Sequence, residues 1–528
     1  MTAKEDETMW LYADIKTLAD IPRLYARTRP TKVALVDGSG STTFAELDDR
    51  SNRIANLIAG LGVKPKSNIG FLGKNSSLYF QLLFGINKAG STMSPMNWRL
   101  AAPELAAVIA DAEAPLLFVD RELMPLAESV KALCSHKFQI VEIDPPNPDS
   151  AFGQALAKAA NTDPQAPLEA EQAALLIYTS GTTGKPKGVE LTHRGFHYMR
   201  LCEHLEPALQ WQPDDVMLMV MPNFHLVGSG LTIQSLYNGS TLSILPQLDA
   251  GQLIKIIARD RPSVVALVPT AIQMLLDHPD SKTADFSSLR LVMYAGSPIS
   301  SHLLQRALVQ MKCKFMQFYG ATESSGAITL LRPEQHVLED EDKLKSCGTP
   351  LPLIEVKFVD AFGVEVPDGD VGELMVRSPS IFGGYWKQPE TTAAVLKDGW
   401  YKTGDAGRRD AEGLLYLVDR VKDMIVTGGE NVYSAEVEQV LAKHPGVRMC
   451  AVIGLPDEKW GERVVAMIMP ADGHKPTQDE IIAHCRLHIA GYKVPKEVRL
   501  VDSFPMTATG KVLKRVVRDE LSKAAAVA

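Results

Sequence analysis

From Val33 onward, short apolar runs (Ile69–Leu72, Leu116–Val119, Val264–Val268, Leu291–Tyr294) alternate with longer stretches whose apolar positions recur every three or four residues. Short buried runs suit strands and the longer period suits helices with one apolar face, so the pattern predicts an α/β fold. Phe44–Leu61, Pro103–Ala110 and Ser301–Met311 are expected as helices covering sheet faces. A chain of 528 residues exceeds what one core supports, which predicts two or more domains. Charged residues at 22% and apolar residues at 45% are the proportions of a compact fold rather than a disordered chain.

The texture changes twice. Pro145–Pro167, rich in Pro, Asn, Asp and Ala, reads as a surface connection. After Val418 a tail begins with its own alternation: strands are expected at Met424–Val426, Cys450–Ile453 and Val464–Met469, helices at Ser434–Lys443 and Gln478–Ile489. A domain boundary is placed near Asp419, leaving a small α+β lid. Ser434 looks like a helix start, although the full capping-box spacing is absent.

Several function classes fall away on charge and cysteine pattern. The net charge of -8, from 63 acidic against 55 basic side chains, argues against a general nucleic-acid binder and leaves a local basic cleft open. Cys134, Cys202, Cys313, Cys347, Cys450 and Cys485 are dispersed without a CxxC pair, so neither a zinc cage nor a disulfide framework is expected. The polar N-terminus lacks a secretory pattern and "AAAVA" is no peroxisomal address. No run of about 18 apolar residues predicts a membrane span. A cytoplasmic protein is expected, with peripheral membrane contact and oligomeric state left open.

One stretch carries chemistry. After the apolar run Ala173–Ile177, "YTSGTTGKPKG" offers Thr179, Ser180, Gly181, Thr182, Thr183, Gly184, Lys185 and Lys187. Glycines let backbone amides turn toward an anion, hydroxyls add donors, and lysines add positive charge. Such composition serves equally as a solvated turn. No GxxxxGK[ST] arrangement fits, which disfavours an ordinary P-loop.

Further motifs follow in order: "MPNFHLVG" at Met221–Gly228, "YAGSPIS" at Tyr294–Ser300, "YGATE" at Tyr319–Glu323, "YKTGD" at Tyr401–Asp405, "DRVKDMIVTGGENV" at Asp419–Val432 and "TATGKV" at Thr507–Val512. Together they resemble the adenylate-forming superfamily across almost the whole chain, in particular its AMP-forming acyl-CoA synthetases. The resemblance implies a large N-terminal domain with mixed sheets, 1–419, binding ATP and the acyl group, and a smaller mobile α+β C-terminal domain, 420–528. It implies a reaction in which a carboxylic acid is adenylated by ATP with Mg²⁺ and then captured by CoA, with a fatty acid as the expected substrate. An aryl acid, or a carrier protein as acceptor, is the alternative.

The same resemblance assigns roles. The loop from Thr179 to Lys187 takes the β- and γ-phosphates, Thr322 lies next to the α-phosphate, and Glu323 holds Mg²⁺. Tyr319 lies against adenine, with Gly296, Ser297 and Pro298 on its other side, and Gly320 belongs to the same ATP-binding set. Asp405 and Arg420 meet the ribose hydroxyls. Lys511 contacts the carboxylate and α-phosphate oxygens during adenylation. Lys422 is the hinge that withdraws it, and Gly428 and Gly429 then border the CoA tunnel. His225, Gly228, Ser229 and Ala321 border the acyl pocket, where the small residues are expected to leave room.

Overall fold

The computed structural model describes residues 15–144, 147–179, 186–297, 299–340, 342–427, 430–457, 459–506 and 512–527, with the side chains of residues 422, 431 and 522–527 outside that set. Two compact units result: Met1–Glu355 with Val376–Tyr401, and Val356–Met375 with Lys402–Ala528.

The first unit carries two mixed sheets. In the nine-stranded sheet, Leu291–Ala295 lies between Val264–Leu267 and Lys314–Ala321, all parallel, and antiparallel Gly326–Leu331 follows Lys314–Ala321. The six-stranded sheet is parallel through Leu116–Asp120, Asn68–Leu72, Thr92–Pro95 and Ala173–Thr179, then closes with antiparallel Lys187–Thr192. Its central strands Leu116–Asp120, Asn68–Leu72 and Thr92–Pro95 are almost wholly buried, the signature of a sheet covered on both faces, while the edge strand Gln139–Ile143 is largely open to solvent.

Helices form where the sequence supplies both a face and a cap. Phe44–Gly60 starts on Thr43, whose hydroxyl accepts from Glu46 N–H while Glu46 returns a bond to Thr43 N–H. Ser301–Met311 begins on the Ser300 cap and stops at Lys312 in a left-handed conformation. One helix lies in a stretch for which the sequence pattern gives no expectation, and another replaces an expected surface connection. Ser77–Lys88 is buried at every residue, packed against Phe44–Gly60 and Val33–Asp37, so it has no polar face to betray its period. Ala151–Lys158 occupies the segment read as a connection: Ser150 caps it and Phe152 anchors it.

In the second unit, Val447–Asp457 and Gly461–Pro470 form a long hairpin, flanked by Ile425–Thr427 and, in parallel, by Glu497–Leu500. Ser434–Leu441 and Gln478–Arg486 pack on it through Val437, Leu441, Ile481 and Cys485. The cap missing from Ser434's own neighbourhood comes from Asp419, whose Oδ2 accepts from Ser434 Oγ at 2.7 Å and Ala435 N–H at 3.2 Å. A carboxylate there satisfies orphan amides and complements the helix dipole.

Candidate active site

The strand Ala173–Thr179 runs into the glycine-rich loop, and Lys187–Thr192 returns from it, with Thr179 and Lys187 paired across the two strands. Ser180, Gly181, Thr182, Thr183, Gly184 and Lys185 lie outside the described residues, as do Pro298, Gly428, Gly429 and Lys511.

At the end of Lys314–Ala321 the register slips between Tyr319 and Gly320: Tyr319 faces Thr329, while Gly320 faces Ala327. A bulge re-aims side chains where pairing ends. A Cβ on Gly320 would overlap the Gly326 carbonyl, so only glycine admits this close approach. The bulge delivers Thr322 and Glu323 into a single 3-10 turn, Thr322–Ser324, with both side chains half-buried. Ser324 steadies the turn by donating to the Ala321 and Gly326 carbonyls, and Ala321 N–H donates back to Ser324 Oγ. Glu323 Oε1 accepts from Tyr385 Oη at 2.8 Å.

Next to Lys314–Ala321, strand Leu291–Ala295 ends in Gly296 at φ +91°, a left-handed turn that favours glycine. Ser297 follows, half-buried. Tyr294 donates to His336 Nε2 at 3.0 Å, while His336 Nδ1 lies 2.8 Å from the Arg332 carbonyl. Burial lowers the His336 pKa, so the neutral ring can give a proton to that carbonyl and accept one from Tyr294. His336 lies outside every quoted motif.

The "NFHLVG" segment is held from beneath by side chains 150 residues earlier. Asn75 Nδ2 donates to the Met221 and Leu245 carbonyls, each at 3.1 Å, and Asn75 Oδ1 accepts from Asn223 N–H at 2.9 Å. Tyr79 and Ser229 share a hydroxyl contact of 2.7 Å, and Ser229 also donates to the Asn223 carbonyl. Ser229 is therefore tied into this network, fully buried. Gly228 sits where a Cβ would overlap the Pro222 and Met221 carbonyls, so it serves close backbone packing at the start of Leu226–Tyr237. His225 stands immediately before that helix, its ring 4.7 Å from Phe224. Asn75→Ala strands one amide and two carbonyls in the interior and is expected to lower stability by about 1–3 kcal/mol. A denaturation midpoint that does not move would contradict this.

In the second unit, Asp405 and Arg420 are direct cross-strand partners. Arg420 Nε lies 2.7 Å from Asp405 Oδ1, and Arg420 Nη1 donates to the Thr403 carbonyl at 3.3 Å. Asp405 is buried, with its amide bonded to Thr403 Oγ1 at 3.0 Å. An acceptor carboxylate beside a donor guanidinium is the set a vicinal diol can use. Lys422 lies two residues on, in the 3-10 turn Val421–Asp423.

Comparison with known proteins gives this arrangement its context. Residues 23–386 match the family described as AMP-binding enzyme, and residues 436–511 match the AMP-binding enzyme C-terminal domain. A feruloyl-CoA synthase from Amycolatopsis sp is 38% identical over 95% of this chain and 98% of the relative. The fatty acid–[acyl-carrier-protein] ligase ScoC from Streptomyces coeruleorubidus is 36% identical over 96% and 97%. The solved structure of the anthranilate CoA ligase AuaEII in complex with anthranoyl-AMP superposes with a TM-score of 0.85 at 28% identity, covering 97% of this chain and 98% of that one. The fold and the ordered motifs together define an adenylate-forming enzyme. The chain belongs to the AMP-binding enzyme family and is an AMP-forming acid–thiol ligase. Among the described residues no helix is long and apolar enough to cross a membrane.

Proposed function

We propose that the protein is an acyl-CoA synthetase: the carboxylate attacks the α-phosphate of ATP to form an acyl-adenylate and release pyrophosphate, and the CoA thiol then takes the acyl group and releases AMP. The observation that carries this reading is the full ordered set of motifs, from the loop after Ala173–Thr179 through Glu323 and the Asp405–Arg420 pair to Lys511. The first step sets a carboxylate against a polyphosphate, and like charges repel unless donors and cations offset them. The loop amides, Lys187 and Lys511 would supply donors along the phosphates, with Thr322 at the α-phosphate. Asp405 and Arg420 would fix the ribose, and Tyr319 and Gly296 would flank the adenine.

The donor set near Glu323 suits Mg²⁺. Its carboxylate gives one oxygen to Tyr385 and is half-exposed, leaving a hard oxygen for a cation whose other positions phosphate and water can fill. Bound there, Mg²⁺ would neutralise charge on the phosphates. Among the described residues no three His, Cys, Asp or Glu side chains are grouped to hold a metal, so such a cation would be shared with the nucleotide.

We propose a fatty acid as substrate, supported by the likeness to ScoC, whose name specifies one. The relative named feruloyl-CoA synthase favours an aryl acid as second reading, and ScoC's carrier-protein acceptor favours a third in which CoA is replaced. One assay separates them. Pooled fatty and aryl acids with ATP and Mg²⁺, with and without CoA, are expected to give CoA-dependent fatty acyl-CoA by mass spectrometry. Aryl-CoA instead would overturn the substrate assignment, and adenylate without thioester would overturn CoA as acceptor.

A further inference from the structure

Glu323 is gripped by a segment 60 residues further along the chain. Its carbonyl accepts from Phe382 N–H at 2.8 Å, and its Oε1 accepts from Tyr385 Oη at 2.8 Å. The same segment is stitched to the strand leaving the glycine-rich loop. Gly383 N–H donates to the Glu190 carbonyl, Glu190 N–H to the Gly384 carbonyl and Trp386 N–H to the Gly188 carbonyl, while Tyr385 bridges Val189. Residues 383–386 thus act as an added length of strand beside Lys187–Thr192. They put Tyr385 within reach of both phosphate-site elements.

The Tyr385 ring is firmly set. Phe382 lies edge-on at 5.0 Å and itself meets Tyr401 edge-on at 5.6 Å, and Tyr385 N–H donates to Thr392 Oγ1 at 2.9 Å. The Tyr385 hydroxyl is the donor in its bond to Glu323, because an ionised carboxylate can only accept. Lys187 Nζ stands 4.9 Å from the centre of this ring, within cation–π range. One side chain therefore touches the carboxylate at one end and the lysine across its face.

We infer that Tyr385 is a positioning residue for the metal–phosphate site, its hydroxyl orienting Glu323 for a divalent cation while its ring carries Lys187. The inference rests on the reading of Glu323 as a Mg²⁺ ligand. A donor that engages one carboxylate oxygen fixes the direction of the other, and removing such a partner commonly costs 10- to 100-fold in metal affinity.

The test uses the full chain saturated with ATP, without acid or CoA, and reads Mn²⁺ binding by electron paramagnetic resonance. Tyr385→Phe, which keeps the ring, is expected to weaken Mn²⁺ binding by about 10-fold and to move the Mg²⁺ activation curve for pyrophosphate release upward by a similar factor. In a Glu323→Gln background the same substitution should add little, because the oriented group is gone. Tyr385→Leu should in addition weaken ATP binding in EDTA, through loss of the support under Lys187. Wild-type Mn²⁺ affinity in Tyr385→Phe, or an equal further loss in the Glu323→Gln background, would overturn the proposal. Wild-type Mn²⁺ affinity in Glu323→Gln alone would overturn it through the metal reading. A failure to form thioester leaves the Mn²⁺ result standing, so the two readings fail separately.

Discussion

Lys511→Ala is expected to lower pyrophosphate release from acid and ATP by about 10²- to 10³-fold, the usual cost of losing one preorganised donor to a developing oxyanion. The size follows from the repulsion between the attacking carboxylate and the α-phosphate. A fixed ammonium does most good where charge moves between those oxygens, and water cannot take its place without reorganising. Conversion of a supplied acyl-adenylate to thioester should survive, because there the attack is by a thiol on an acyl carbon and AMP already carries the phosphate. Pyrophosphate release and thioester formation, measured separately on the same variant, decide the point. Equal losses in both would remove Lys511 from its adenylation role and return it to general binding.

Gly228→Ala should depress activity on every acid together and lower the unfolding midpoint, at a cost of about 1–3 kcal/mol for overpacking. A glycine beside a substrate pocket invites the expectation that a methyl group would merely shorten the accepted chain. The backbone gives a different answer, since that methyl group would be driven into the Pro222 and Met221 carbonyls. Gly228 N–H also bonds to the His225 carbonyl, and His225 N–H to that of Pro222, so displacing Pro222 carries His225 with it. Acid-panel rates beside thermal unfolding test this. A shift in preferred acid length at an unchanged midpoint would show that Gly228 faces substrate after all.

What could be read from the chain depended on whether partners were neighbours in sequence. Ser301–Met311 was legible to the residue because one face is apolar and Ser300 caps it. Ser77–Lys88 left no period to read because every side chain is inside, and the turn-forming composition around Ala151–Lys158 masked a short helix held mainly by Phe152. The same limit applies to the site. Glu323 stands at a strand end within a recognisable motif, but Tyr385 reaches it only through the register of residues 383–386 against Lys187–Thr192. The tetrapeptide "GGYW" at Gly383–Trp386, small residues before two aromatics, was the only local hint. Asn75 and His336 gave none, because Met221, Leu245 and Tyr294, the groups they hold, are brought beside them by tertiary packing rather than by nearness in sequence.

The cap that Asp419 places on Ser434–Leu441 joins residues on opposite sides of Lys422. Both ends of that contact lie in the one compact unit that contains Lys402–Ala528, so the turn Val421–Asp423 is bracketed by bonds between its own two flanks. A short turn tied on both sides has little freedom to open unless Asp419 first gives up Ser434 and Ala435.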